Sequence, residues 1–196
     1  EQRVSQWLIL NLPDVEFTGA SPTLMFAHIG KRNVSSMLVG TTLALILISI
    51  ILMIALRSVR IGLISLAPNL IPAGMAFGLW GLLVGEVGLS LSIVAGMTLG
   101  IVVDDTVHFL SKYLRARREK GLNEQEAVAY AFNTVGVALW VTSLVLVLGF
   151  VVLSQSHFAL NSDMGVMAAI TIGIALMMDF LFLPPLLMKL EETKHA

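Results

Sequence analysis

Two adjacent carboxyl groups, Asp104 and Asp105, interrupt the otherwise apolar stretch 97–110, MTLGIVVDDTVHFL. On insertion scales an Asp at the centre of a bilayer costs roughly 2.5–3.5 kcal/mol, so such a pair is expected inside a protein bundle. Burial and a neighbouring like charge both favour the protonated form, and adjacent acids titrate as a coupled pair and not independently. The pattern predicts a proton relay at Asp104 and Asp105. The competing interpretation is a structural contact with another helix or with water.

Small and polar residues recur at every fourth position of the same segment: Ser92, Gly96, Gly100, Asp104 and His108. Residues four apart share one face of a helix. In lipid, small residues on such a face let a second helix approach closely. The stripe therefore predicts a helix at the centre of a bundle. His108 lies one turn from Asp104 and either supports the relay or is an ordinary interfacial residue.

Four further polar residues lie in apolar segments and are candidates for supporting roles. Thr142 and Ser143 could bond to another helix or carry a proton, although such hydroxyls often bond to their own helix backbone. Asn69 lies between two prolines that break backbone hydrogen bonds, so a structural role is favoured there. Asp179 is an intramembrane acid, and therefore either a second site or a polar contact between spans.

The composition sets the class of protein that must position these residues. The 196 residues are 57% hydrophobic and 13% charged, against about 25% charged in soluble domains. A net charge of −1 gives no basic field for nucleic acid. Cysteine is absent, which excludes disulfides and thiolate metal sites. Phosphate-loop, zinc-protease and serine-hydrolase motifs are also absent, so the sequence predicts no enzyme, no metal site and no cofactor other than the proton.

Five stretches reach the length of about 20 apolar residues that a membrane-spanning helix needs. They are residues 37–56, 61–84, 87–111, 134–154 and 164–188. The predicted fold class is therefore an all-α membrane protein, with a transmembrane bundle over residues 36–190 and a tail at 191–196.

The segments outside these spans are short. Residues 1–35 are interpreted as the end of an extracytoplasmic domain, with a short strand at VEFTG and a helix that begins at Pro22. Asn123 and Glu126 form a capping pair that predicts a loop helix at about 123–132.

The distribution of Lys and Arg predicts the orientation. If the first span runs inward, the inside segments hold nine of the twelve: Arg57, Arg60, Lys112, Arg115, Arg117, Arg118, Lys120, Lys189 and Lys194. The outside segments hold Arg3, Lys31 and Arg32. Because cytoplasmic loops carry the positive excess, the C-terminus is expected in the cytoplasm and residues 1–35 outside the inner membrane.

Four motifs in order resemble the resistance–nodulation–division (RND) superfamily. GIVVDDTVHF resembles its acidic fourth-helix motif, most nearly in the lipid-handling branch with MMPL, Patched and sterol-sensing-type domains. APNLIPAGMAFGLWGLLVGE, TSLVLVLGFVVLSQSHF and MGVMAAITIGIALMMDFLFLPPLL resemble other parts of the same half-domain. The chain is thus similar to helices two to six of one half, and its polar ending favours the C-terminal half.

The resemblance implies proton-driven export of hydrophobic or lipid-like molecules. It places Asp104 and Asp105 opposite the counterpart half, in the same chain or a partner, with Thr142 on the helix that lends a hydroxyl to the relay. Homo-oligomerisation is a further possibility. The alternatives are a sterol- or lipid-sensing domain without transport and, far less favoured, an aspartyl protease that uses Asp104 and Asp179. A full sequence with two such halves would favour the transporter. A single half fused to an enzyme or regulator would favour the sensor.

Overall fold

The computed structural model describes residues 7, 10, 22–55, 57, 59–85 and 89–192. Within these ranges the regular structure is helical: α1 Pro22–Ala55, α2 Val59–Ile64, α3 Leu66–Leu83, α4 Leu89–Glu119, α5 Glu124–Ala131, α6 Val137–Leu153, α7 Ala159–Met177 and α8 Leu183–Glu192. Two π-helical segments, Phe132–Gly136 and Met178–Phe182, join α5 to α6 and α7 to α8. The strand predicted at VEFTG lies outside the described residues.

Five helical segments are long and apolar enough to cross a membrane, which confirms the predicted fold class. They are His28–Ile54, Leu66–Leu83, Ser90–Glu119, Glu124–Leu153 and Ala159–Lys189. α1 begins at Pro22, where the sequence predicts a helix start, and continues without a break into the first span. The predicted second span, residues 61–84, is divided at Ser65, whose hydroxyl donates to the Gly62 carbonyl at 2.7 Å.

The central helix is α4, which packs against α1, α3, α5 and α7. It runs to Glu119, eight residues beyond the predicted end of the third span. Arg115 pairs with Glu119 one turn later at 2.7 Å, and Arg117 and Arg118 occupy the last turn. Cations near a helix C-terminus and i,i+4 ion pairs both favour such an extension.

The predicted capping pair is confirmed: the Asn123 side chain accepts from the Glu126 backbone, and Glu126 accepts from the Asn123 backbone. The α-helix that follows this cap, α5, ends at Ala131. The first π-helical segment then continues it into α6, so the loop helix and the fourth span form one helical stretch.

Two clusters of buried side chains hold the bundle together. One joins α1, α4, α5, α6 and α8 around Phe109, Leu110 and Tyr113. The other joins α3, α4 and α7 around Trp80 and Met167. α4 contributes to both clusters, so its buried and exposed faces fix the orientation of the two acids.

Candidate functional site

Asp105 is the member of the acid pair that is held by another helix. Its side chain is half-buried, and the buried Ser143 hydroxyl of α6 donates to Asp105 Oδ2 at 2.7 Å. A hydrogen bond to a carboxylate favours its charged form and fixes its rotamer. The pair of residues predicted separately as relay and support is thus brought into direct contact.

Asp104 points away from the core of the bundle. Its side chain is 72% exposed and lies 3.5 Å from His108 Nε2, whose side chain is 56% exposed. Asp104 and His108 both act electrostatically on Asp105, with opposite sign. Adjacent residues are separated by about 100° around a helix, which places one acid on the open face and the other at a helix interface.

A cleft of about 440 Å³ joins these groups. It lies between α4 and the α6 segment, and Asp104, Asp105, His108 and Thr142 line it together with apolar side chains. The Thr142 hydroxyl donates within its own helix, to the carbonyls of Ala138 at 2.9 Å or Leu139 at 3.1 Å. Thr142 therefore faces the cleft without a contact to either acid, whereas Ser143 makes that contact.

The glycine stripe of α4 lies on the open face with Asp104. Gly96 and Gly100 are exposed, and a Cβ placed on either meets no atom within 4 Å apart from the neighbouring backbone of α4 itself. Ser92, at the start of the stripe, is buried. Within this chain the predicted close helix approach does not occur at Gly96 or Gly100, since the stripe has no neighbour there.

Asp179 belongs to a different, deeply buried cluster. It is 2% exposed and lies in the second π-helical segment. Its Oδ1 is 2.9 Å from the Thr106 hydroxyl of α4, which is also 2.9 Å from Asn69 Oδ1 of α3. Asn69 Nδ2 donates to the Ser65 carbonyl at 2.7 Å. Asn69 and Asp179, predicted as separate supporting residues, are therefore joined through Thr106.

Sequence reasoning missed Thr106, although a signal was available. The buried positions Leu99, Val102, Val103, Phe109 and Leu110 recur at helical spacing along α4. Thr106 is seven residues after Leu99, so it lies on the same core-facing side. A hydroxyl on that side needs a partner from another helix or from its own backbone.

The arrangement provides two sets of titratable groups around α4, one open and one enclosed. One set, Asp104, Asp105 and His108, borders an open cleft and can exchange protons with it. The other is the enclosed Asp179. Among the described residues, no group of three His, Asp or Glu side chains is placed to hold a metal ion.

The chain is similar to known proteins over most of its length. The model of the MMPL family matches residues 10–193. A membrane protein of Methanocaldococcus jannaschii is 28% identical over 155 residues, which make up 79% of this chain and 39% of that relative. The matched stretch therefore spans well under half of the relative's length.

Proposed function

Because the chain belongs to the MMPL family, we propose that it is the membrane segment of a proton-driven transporter of hydrophobic or lipid-like molecules. The observation that carries the proposal is the contact between the Ser143 hydroxyl and the half-buried Asp105 at the border of an open cleft. That contact places a proton-accepting group between two helices, where a change of its charge alters helix packing. In this proposal the proton is the coupling ion, and the chain has no enzymatic activity.

The proposed relay begins at Asp104, which is exposed and lies beside His108. A proton taken up from the cleft by Asp104 or His108 passes to the Asp105 carboxylate, which becomes the acid. The Ser143 hydroxyl then no longer faces a charged oxygen, and the strong charge-assisted bond between α4 and α6 is weakened. Each proton that crosses the membrane supplies about 2.3 kcal/mol per 100 mV of potential. In the proposal this free energy shifts the bundle between a packing with the Ser143–Asp105 bond and a packing without it.

The counterpart half of the transporter is proposed to lie against the open face of α4. Asp104, Gly96 and Gly100 share this face, and no atom of the described chain covers the two glycines. A counterpart helix from a second half, in the same chain or in a partner, would supply the missing neighbour for Asp104. The lipid bilayer surrounds the remaining apolar surface.

The proposed orientation is multi-pass in the inner membrane with a cytoplasmic C-terminus, since nine of twelve Lys and Arg residues lie in the segments of that side. These 196 residues contain no cysteine, so single cysteines introduced into them allow a direct test. Lys120→Cys is expected to react with a membrane-impermeant maleimide only after cells are opened, and Gln155→Cys in intact cells. The reverse pattern would overturn the orientation.

The function is tested with the full-length protein in proteoliposomes under an imposed pH gradient. A pH-sensitive dye reports proton flux, and a fluorescent phospholipid and a hydrophobic dye serve as probes of transport. Asp104→Asn and Asp105→Asn are expected to abolish proton-dependent transport, because an amide cannot carry the proton, while the thermal stability is retained.

Asp163→Asn, on α7 and outside the cleft, is the matched control and is expected to transport normally. Normal proton-dependent transport by both Asp104→Asn and Asp105→Asn would overturn the relay. Saturable binding of lipid without proton flux, in wild type as in the variants, would instead favour a lipid-sensing domain.

A further inference from the structure

The cluster around Thr106 contains more acceptor oxygens than the one hydrogen of the Thr106 hydroxyl can serve. Thr106 Oγ1 lies 2.9 Å from Asn69 Oδ1 and 2.9 Å from Asp179 Oδ1, and 3.2 Å from the Val102 carbonyl of its own helix. A threonine hydroxyl carries one hydrogen and can donate to one of these oxygens.

The orientation of the Asn69 amide is fixed by its second contact. Its Nδ2 donates to the Ser65 carbonyl at 2.7 Å, and a flipped amide would press two oxygens together at that distance. Asn69 therefore presents an oxygen to Thr106 and has no hydrogen to offer on that side.

An additional hydrogen on Asp179 Oδ1 satisfies both contacts of Thr106, with Asp179 and with Asn69. If Asp179 is the neutral acid, its hydroxyl donates to Thr106 Oγ1, and Thr106 donates in turn to Asn69 Oδ1. If Asp179 is ionised, Thr106 can serve only one of the two oxygens, and the other acceptor faces it without a hydrogen. An unserved buried acceptor costs about 1–3 kcal/mol, and more when it is charged.

The surroundings of Asp179 also disfavour a charge. The residue is 2% exposed, and no described side chain or backbone group donates to its Oδ2. Asp105 of α4 is a carboxyl that acts on it electrostatically. α3 carries no titratable residue. The only titratable residue on α7 is Asp163, about 24 Å from Asp179 along the helix. The first titratable residue on α8 is Lys189, ten residues after Asp179.

We infer that Asp179 is a second proton-binding site, which holds its proton when Thr106 links it to Asn69. The proton completes a chain of hydrogen bonds across three elements: the π-helical segment, α4 and α3. A π-helical segment interrupts the regular backbone pattern and often marks a functional site, and here it carries the acid itself.

Loss of the proton would change the links between helices. Once Asp179 is a carboxylate, the Thr106 hydrogen turns toward it, and Asn69 Oδ1 loses its donor, so the hydrogen bond between α3 and α4 is lost. The role in transport rests on the proposed function, which supplies the acceptor: the Asp105 carboxylate takes the proton and becomes the acid as Asp179 becomes the carboxylate. The protonation of Asp179 itself does not depend on that role.

The test is infrared spectroscopy of the full-length protein in membranes at neutral pH. The difference spectrum between wild type and Asp179→Asn is expected to contain the C=O stretch of a protonated carboxylic acid, shifted by exchange into D2O. Asp179→Asn retains a donor to Thr106 and is expected to fold. Thr106→Val removes the acceptor of the acid's hydrogen, so the same band is expected to move to higher frequency.

Two further measurements separate the outcomes. Asp163→Asn, the matched control, is expected to leave the acid band unchanged. If the difference spectrum between wild type and Asp179→Asn contains only carboxylate absorption, the inference is overturned. If the acid band is present while Asp104→Asn and Asp105→Asn transport normally, the proton site at Asp179 stands and the proposed relay fails.

Discussion

Two neighbouring hydroxyl residues, Thr142 and Ser143, have different environments although both precede the same apolar run. Ser143 is buried and donates to Asp105, whereas Thr142 is exposed and donates to its own helix. The rotation of about 100° between adjacent residues accounts for the difference. The pair therefore offers a comparison in which one hydroxyl contacts the acid and the other does not.

Removal of the Ser143 hydroxyl is expected to impair the proposed relay. Ser143→Ala removes the hydrogen-bond donor to the half-buried Asp105. A hydrogen bond to a charged acceptor is worth about 1.5–3 kcal/mol. We expect proton-dependent transport to fall by roughly 10-fold or more, since each ~1.4 kcal/mol corresponds to one factor of ten. The pH dependence of transport is expected to change as well, because Ser143 bonds to the titrating group.

Thr142→Val is the matched control, since it removes a hydroxyl that bonds only within its own helix and keeps the side-chain shape. It is expected to transport as wild type with the same pH dependence. Equal effects of the two substitutions would show that the contact with Asp105 has no special role and would count against the relay geometry.

At the residue scale, the sequence predicted which acids and hydroxyls to consider, but not their contacts. The free-energy cost of a carboxyl group inside the membrane singles out Asp104, Asp105 and Asp179. The contacts Ser143 to Asp105 and Thr106 to Asp179 join residues 38 and 73 positions apart, and helix periodicity contains no information on such pairs. Thr106 in particular resembles any threonine that bonds to its own helix.

At the element scale, the close approach of α6 and α7 depends on Gly165. A Cβ on Gly165 would lie 2.5 Å from the Ser154 backbone nitrogen and 2.6 Å from the Phe150 carbonyl oxygen. Backbone atoms cannot rotate away as a flexible side chain can. Gly165→Ala is therefore expected to separate the two helices and to cost about 1–3 kcal/mol, as overpacking does elsewhere. Thermal unfolding in detergent measures the loss.

Gly173→Ala tests whether the effect belongs to the contact. Gly173 lies on the same helix, and a Cβ there meets no described atom within 4 Å. Its replacement is expected to leave thermal stability unchanged or slightly raised, because Ala is the better helix former. A similar loss at both positions would place the cause in α7 itself and not in its contact with α6.

The spanning helices were predictable because long apolar runs in a chain of this composition have few alternatives. The π-helical segments were not. In each, the backbone hydrogen bonds join residues five apart instead of four. Phe132 of one segment packs on Phe180 of the other, with ring centroids 5.3 Å apart. This local change in pitch is decided by packing between distant helices, which the hydropathy of a single segment does not encode.

At the scale of the whole molecule, the five spans form a bundle with an open side. Apolar residues cover much of the outer surface of α1, α3 and α6, and these faces suit lipid. One face of α4 differs, because its residues are small or polar: Gly96, Gly100, Asp104 and His108. Small residues in membrane helices favour packing against another helix over exposure to lipid, so this side is where the second half is expected.

A bulky residue on the open face is expected to block that association without disturbing the bundle. Gly100→Leu meets no described atom at its Cβ, so thermal stability of the chain should be kept. In the full-length protein, however, the side chain would hold the counterpart helix away from Asp104. We expect proton-dependent transport to be lost, and a cysteine at Gly96 to lose its cross-link to the counterpart.

Gly78→Leu provides the control for size and hydrophobicity, since Gly78 of α3 is also exposed and its Cβ position is also open. It lies among apolar residues on a face that suits lipid, so both transport and cross-linking are expected to persist. Cross-links from Gly96→Cys to a second copy of the chain would identify a homo-oligomer as the partner. Wild-type transport by Gly100→Leu would mean that this face of α4 meets lipid, and Asp104 would then require its partner from within the cleft.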